Sequence, residues 1–261
     1  MTILVAYDGS PVAAEVLAAA EDVGRAAGWP LRILQVDEAG GAEAATIVWP
    51  HVTSAEVVRV GGAAAEAILR AAEAPDVKVV ALGLRSDARP GLGHVARELL
   101  ERTSRMLLLV RQGMLPVDGL RRVLVPLEGS PSTSAAMRVA DDAFCRRGRE
   151  IVMIHVVTGD TPAEPGSMPA PRFMDQEHYE WAAWQEEFCM RFSQCSKGGR
   201  HRVCVRVGDP GQLIVAEARD VRAELAVVAW RQDLSPGQAE RLKLLLEESP
   251  CAVLLVSQAS L

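Results

Sequence analysis

The sequence predicts an α/β protein made of two tandem copies of one unit, each with a five-stranded parallel sheet flanked by helices. Three observations predict it. Short apolar runs rich in branched residues alternate with helical stretches, the pattern of a parallel sheet covered on both faces. Residues 3–11, ILVAYDGSP, return as VLVPLEGSP at 123–131. RILQV (32–36), VVALGLR (79–85) and MLLLV (106–110) return in the same order as VMIHV (152–156), LAVVAWR (225–231) and AVLLV (252–256), with an insertion between the second and third strands of the second copy. Such a duplication reads as two domains, 1–113 and 119–261, joined across the Gly- and Pro-containing stretch Gly113–Gly119.

The elements of the first copy follow in order. Ile3–Ala6 is a strand, and Asp8-Gly9-Ser10-Pro11 a turn that opens a helix, with Ser10 at its N-cap and Pro11 at its first position. Val12–Ala27 is Ala-rich and stops at Gly28, a fitting residue for a left-handed helix end. Strands follow at Leu31–Val36, Val57–Val60, Val77–Leu84 and Met106–Arg111, with helices at Ala63–Ala74 and His94–Arg105. The second copy repeats the order with strands near 123–127, 151–157, 203–207, 224–230 and 252–257. Between strands two and three the copies diverge. Asp37–Glu56 reads mostly as loop, Thr158–Pro171 as Pro-rich loop, and Phe173–Ser196 as a helix with Trp181, Trp184, Phe188 and Phe192 on one apolar face. The last strand of each copy, Met106–Arg111 and Ala252–Ser257, is left at a sheet edge, so the two are expected to pair into an intramolecular pseudo-dimer. A homodimer of the whole chain is a further option.

Composition narrows the function classes. In 261 residues, 49% apolar and 24% charged, there is core enough for globular folding, and aromatics at 4% leave the core to Ala, Val and Leu. A net charge of −6 argues against non-specific nucleic-acid binding. No apolar run approaches the ~18 residues of a membrane span, and the start of the chain lacks a basic signal region, so a cytoplasmic protein is expected. The odd and sparse set of Cys145, Cys189, Cys195, Cys204 and Cys251 suits reduced thiols better than a disulfide framework. Cys189, Cys195, His201 and Cys204 cluster in sequence, but their spacing does not match common zinc patterns, and buried or idle thiols are expected instead.

ILVAYDGSP and VLVPLEGSP at the two starts, IVMIHVV (151–157), VGGAAAEAILRAAEAPDVKVVALGLR (60–85) and VRVGDPGQLIVAEARDVRAELAVVAWR (205–231) together resemble the universal stress protein family in its tandem form. The resemblance spans nearly the whole chain apart from about 38–55 and 158–200. It implies Rossmann-like domains and a stress-response or regulatory role. It also implies, for many members, binding of ATP or a related adenine nucleotide, with Mg2+ accompanying ATP.

In ATP-binding relatives an aspartate after strand one lies by the adenosine, and backbone at the end of strand two reads the adenine edge. A loop after strand four cradles the phosphates, running glycine, two residues, glycine, nine residues, glycine, then Ser or Thr. Carried onto this chain, the candidates are Asp8, Gly9, Ser10, Val36 and Gly83. The loop departs from the family: Ser86 replaces its second glycine, and counting onward reaches Ala96-Arg97. Gly91-Leu92-Gly93 just before a helix would still let backbone amides turn toward an anion, with Arg85, Arg89 and His94 as further donors. Each candidate also has a plainer role: Asp8 orders a turn, Gly91 and Gly93 end a loop, and Arg85 and Arg89 are solvated charges. The second copy departs further. Glu128 replaces the aspartate, Ala229-Trp230 replace Gly83-Leu84, and the loop 231–243 carries Asp233 and Glu240, which repel phosphate. A nucleotide is therefore expected in the first half only, where occupancy would order the loop at 84–94 and alter a partner surface.

No G-x4-GK[ST], G-x-S-x-G or H-E-x-x-H motif is present, and the five histidines His51, His94, His155, His178 and His201 are scattered, so no enzyme is expected. His155, at the second strand of the second copy, reads as a hydrogen-bonded strand-end residue. The alternative is a scaffold that binds no nucleotide, with the Trp-containing segment 173–192 as its partner surface.

Overall fold

The computed structural model describes residues 1–37, 55–84, 93–114, 119–127, 131–146, 148–157, 199–230 and 236–257. The first half contains β1 (Thr2–Tyr7), α1 (Ala13–Ala27), β2 (Leu31–Asp37), β3 (Glu56–Gly61), α2 (Ala64–Ala72), β4 (Val77–Leu84), α3 (His94–Arg102) and β5 (Met106–Arg111). The second contains β6 (Arg122–Pro126), α4 (Pro131–Phe144), β7 (Glu150–Val157), β8 (Arg200–Val207), α5 (Pro210–Asp220), β9 (Leu225–Trp230), α6 (Pro236–Glu248) and β10 (Ala252–Ser257). The strands form one sheet in the order β3-β2-β1-β4-β5-β10-β9-β6-β7-β8. Within each half all pairings are parallel, and β5 meets β10 antiparallel, with Leu108 opposite Leu254. The two strands that would have been bare edges thus cover each other, and β3 and β8 become the outer strands.

Strand alternation sorts the core into two layers. Ile3, Val5, Val79 and Ala81 face α1 on one side of the sheet, while Leu4, Val80 and Leu82 face α2 and α3 on the other. The second half repeats this, with Val123 and Val125 in the first layer and Leu124 in the second. Both layers run unbroken from one half into the other. Trp29 and Phe144 meet edge to face across the first layer, ring centroids 6.2 Å apart. In the second layer the buried Trp230 donates its indole N–H to the Leu100 carbonyl of α3, 3.3 Å away. Arg149 reaches over to the Ala26 carbonyl in the last turn of α1 at 3.3 Å, where a cation suits the helix end. The start of β1 is pinned by the Thr2 hydroxyl, which donates to Asp76 at 2.9 Å and, with Arg32, holds that carboxyl below its usual range.

Several element ends differ from the sequence expectation, each for a local reason. α1 begins at Ala13, and its N-cap Val12 offers no side-chain hydrogen bond. Ser10 is not the cap, because Asp8 has already taken the Ser10 amide and the Ser10 carbonyl accepts the Ala13 amide in a separate turn. At the other end Gly28 takes the left-handed conformation expected of it, φ 75°. α3 stops at Arg102 rather than Arg105. Thr103 is extended, and Arg105 turns back to donate to the Ala72, Glu73 and Ala74 carbonyls at the end of α2. β8 starts at Arg200, earlier than the sequence suggested, because β7 continues to pair with it as far as Glu150. The expected loop at Asp37–Glu56, apart from its ends, and the expected helix at Phe173–Ser196 lie outside the described residues.

Candidate functional site

Strand order reverses between β1 and β4 in the first half, and an open parallel sheet offers its ligand crevice at the C-terminal ends of the strands flanking such a point. Asp8, Gly9 and Ser10 leave β1 at this edge. The Asp8 carboxylate accepts the Ser10 amide at 2.9 Å, an Asx turn, and Gly9 closes it at φ 71°, a conformation that favours glycine. The Ser10 hydroxyl is shut off from solvent with no hydrogen-bond partner among the described residues. β1 and β2 stay in register to Tyr7 opposite Gln35. Val36 lies one step further on, half-buried, paired with Val60 of β3 and beyond the end of the β1 ladder.

The other candidates distribute differently. Gly83 is a packing residue: a Cβ there would come within 2.5 Å of Val12 Cγ1, so the start of α1 rests directly on the β4 backbone. Gly93 is the N-cap of α3 and faces open space. The first turn of α3 carries no acidic residue, so the positive end of the helix dipole is left uncancelled there. His94 heads the helix, is largely exposed, and sits 3.4 Å from Glu98 one turn on. Arg85 and Gly91, with Ser86 and Arg89, lie outside the described residues.

The matching edge of the second half is filled by protein groups. His155, in the place of Gln35, bonds through Nδ1 to the Leu127 carbonyl at 2.8 Å, as a strand-end histidine was expected to do. Trp230, in the place of Leu84, is turned into the core and onto α3 of the first half. Glu128 lies outside the described residues.

The thiols need two corrections. Cys145 is disulfide-bonded, to a partner outside the described residues, against the expectation of reduced cysteines throughout. His201 and Cys204 cannot share a metal, because they project from opposite sides of β8: His201 lies near Asp141 and Cys145, while Cys204 packs on the second core layer. Cys189 and Cys195 lie outside the described residues. Burial pushes the Cys204 thiol up to about 11, and the neighbouring Glu217 adds to the rise. Sequence reasoning missed Asp141 and Cys145. The signal was present, a carboxylate and a thiol four residues apart at the end of a helix, but the histidine that completes the group comes from a distant strand.

Two doubly wound units sharing one sheet define a duplicated α/β protein with its ligand edge at the strand C-termini. The chain belongs to the universal stress protein family, whose sequence model matches residues 119–257. A universal stress protein from Archaeoglobus fulgidus has a similar structure, with TM-score 0.68 and 18% identity over 98% of each chain. A protein of unknown function from Pseudomonas aeruginosa PAO1 is similar at TM-score 0.64 and 13% identity, over 98% of this chain and 92% of that one. These likenesses show the fold. No curated protein matches the sequence. Among the described residues no helix is long and apolar enough to cross a membrane.

Proposed function

We propose that the protein is a stress-response regulatory protein that binds an adenine nucleotide, ATP or AMP, at the C-terminal edge of its first half and not of its second. The observation that carries this reading is the Asp8-Gly9-Ser10 turn at the strand-order reversal, which leaves the Ser10 hydroxyl without a partner where a ligand would supply one. Support comes from the uncancelled positive end of α3, which suits a phosphate, and from the backbone of Val36 beyond the end of β1, which suits the edge of a base. ATP would bring Mg2+, and Asp8 supplies a carboxylate at the same edge. We read the protein as a binding protein rather than an enzyme, since His94, the acid–base group nearest the proposed phosphates, is engaged by Glu98. The His155 and Trp230 contacts support a structural role for the second half.

Equilibrium dialysis of the full chain against labelled ATP and AMP tests this. Binding is expected to weaken about tenfold or more in Asp8→Ala, the loss of roughly one charged hydrogen-bonding group, and to be unchanged in Glu128→Ala. If the wild-type chain binds neither nucleotide, or Asp8→Ala binds as the wild type does, the nucleotide reading is wrong and the scaffold reading takes its place.

A further inference from the structure

On the far side of the second half, Asp141, Cys145 and His201 place one ligand atom each within 4.8 Å of one another. Asp141 and Cys145 share one face at the end of α4, the Cys145 amide bonding back to the Asp141 carbonyl at 3.2 Å. His201 comes across from β8. Its Nε2 lies 2.7 Å from Asp141 Oδ1 and 3.9 Å from Cys145 Sγ. The cysteine is fully buried, and the side chains of Asp141 and His201 are 8% and 10% exposed. Gly199 leaves the sulfur room, since a Cβ there would stand 2.5 Å from Cys145 Sγ.

We propose that this cluster is a redox-gated site for a zinc-class divalent cation. With Zn–S near 2.3 Å and Zn–N and Zn–O near 2.0–2.1 Å, a tetrahedral ion needs about 3.6 Å between S and N and about 3.3 Å between N and O. The observed 3.9 and 2.7 Å require the sulfur to approach, and the carboxylate to withdraw, by only a few tenths of an ångström. One thiolate and one carboxylate neutralise the dication, which suits a buried place, and the neutral imidazole gives the third bond. The fourth position is left for water or a small ligand.

The gate is the Cys145 sulfur, held in a disulfide in the structure. A dithiol reductant exchanges with that bond, giving two protein thiols and its own cyclic disulfide, so electrons and protons balance. The ion then takes the Cys145 sulfur as its thiol proton leaves, and takes His201 at Nε2 with the ring hydrogen on Nδ1. Oxidation of the two cysteines back to the disulfide by a disulfide oxidant removes the thiolate and releases the ion.

Cobalt(II) titration of the full chain tests the site. Reduced, metal-free protein is expected to bind a single cobalt ion with a thiolate-to-cobalt charge-transfer band and tetrahedral visible bands, and oxidised protein to show neither. Cys145→Ser is expected to abolish the charge-transfer band, and His201→Gln to weaken binding at least about 100-fold, with circular dichroism showing both variants folded. Asp141→Asn should weaken binding and leave the charge-transfer band in place at saturating cobalt. Equal binding by oxidised and reduced protein overturns the proposal, as does a charge-transfer band that survives in Cys145→Ser. A reduced chain that binds no cobalt, folded or not, overturns it too.

Discussion

The C-terminal edges of the two halves descend from one repeated sequence and have been put to different uses. In the first half the edge is turned outward: Asp8 shapes a turn, the Ser10 hydroxyl is left unpartnered, and α3 presents a bare N-terminus. In the second half the corresponding positions are closed by His155 on the Leu127 carbonyl and by Trp230 on α3 of the neighbouring half. The difference teaches that a duplicated fold can retain its frame while one copy trades a binding edge for a docking contact. Leu84 to Trp230 is the substitution that makes the trade. A leucine at a strand end has no hydrogen-bonding group to offer, whereas an indole buries a large apolar area and satisfies a helix-end carbonyl as well.

The largest expected effect is at that contact. Trp230→Ala should destabilise the chain by about 3–5 kcal/mol, the usual cost of emptying a buried aromatic site. Because the core layers are shared, denaturant unfolding should lose midpoint for both halves together. Trp230→Phe keeps most of the ring and loses the N–H, so its cost should be near 1 kcal/mol. Separate unfolding of the two halves in the wild type would break the comparison at its root.

An intermediate effect is expected where Gly83 and Ala229 occupy matching positions. Gly83→Ala drives a methyl against Val12 and should cost about 1–3 kcal/mol, relieved in part by Val12→Ala. The mirror change, Ala229→Gly, only loosens a strand and should cost roughly 0.5–1 kcal/mol. In the second half the residue matching Val16 is Ala136, so the volume given up by the helix is taken up by the strand. Thermal denaturation of the three variants ranks them.

The smallest effect concerns pH. Burial pushes the Cys204 and Cys251 thiols from 9.0 up to about 11 in the folded chain. Below pH 9.0 both states hold these protons, and the folded state loses nothing. As pH rises from there through about 11 the unfolded thiols ionise first, so stability falls. A denaturant midpoint followed across that window should decline, and less steeply in the Cys204→Ala, Cys251→Ala variant. The first half has no cysteine and contributes nothing to this slope.

Much of the fold was legible. Val77–Leu84, Met106–Arg111 and Ala252–Ser257 stand as strands with the ends read from the sequence, because continuous apolar runs bounded by polar residues allow little else. Gly28 ended its helix as expected. Helix starts were less legible. Ser10 has the chemistry of a cap, but Asp8 competes for the same amide two residues earlier, and the winner depends on how the turn packs on the strand end. Of the candidate site, the Asp8 turn and the end of β2 fall at the strand-order reversal, whereas Gly83 proved to be pressed against Val12. A glycine chosen for phosphate and one chosen for close helix packing look the same in a sequence.

By itself the sequence determined the duplication, the alternation of strands and helices, and the pairing appetite of the two final strands, since these follow from local periodicity and from internal likeness. Only the tertiary structure decided that one continuous core joins the halves and that Trp230 spans them. It also decided that His201 meets Asp141 and Cys145 rather than the cysteine nearer to it in the chain. Those outcomes depend on which faces of distant elements are brought together, and facing is set by sheet order and by which side of a strand each residue leaves, which proximity along the chain does not encode.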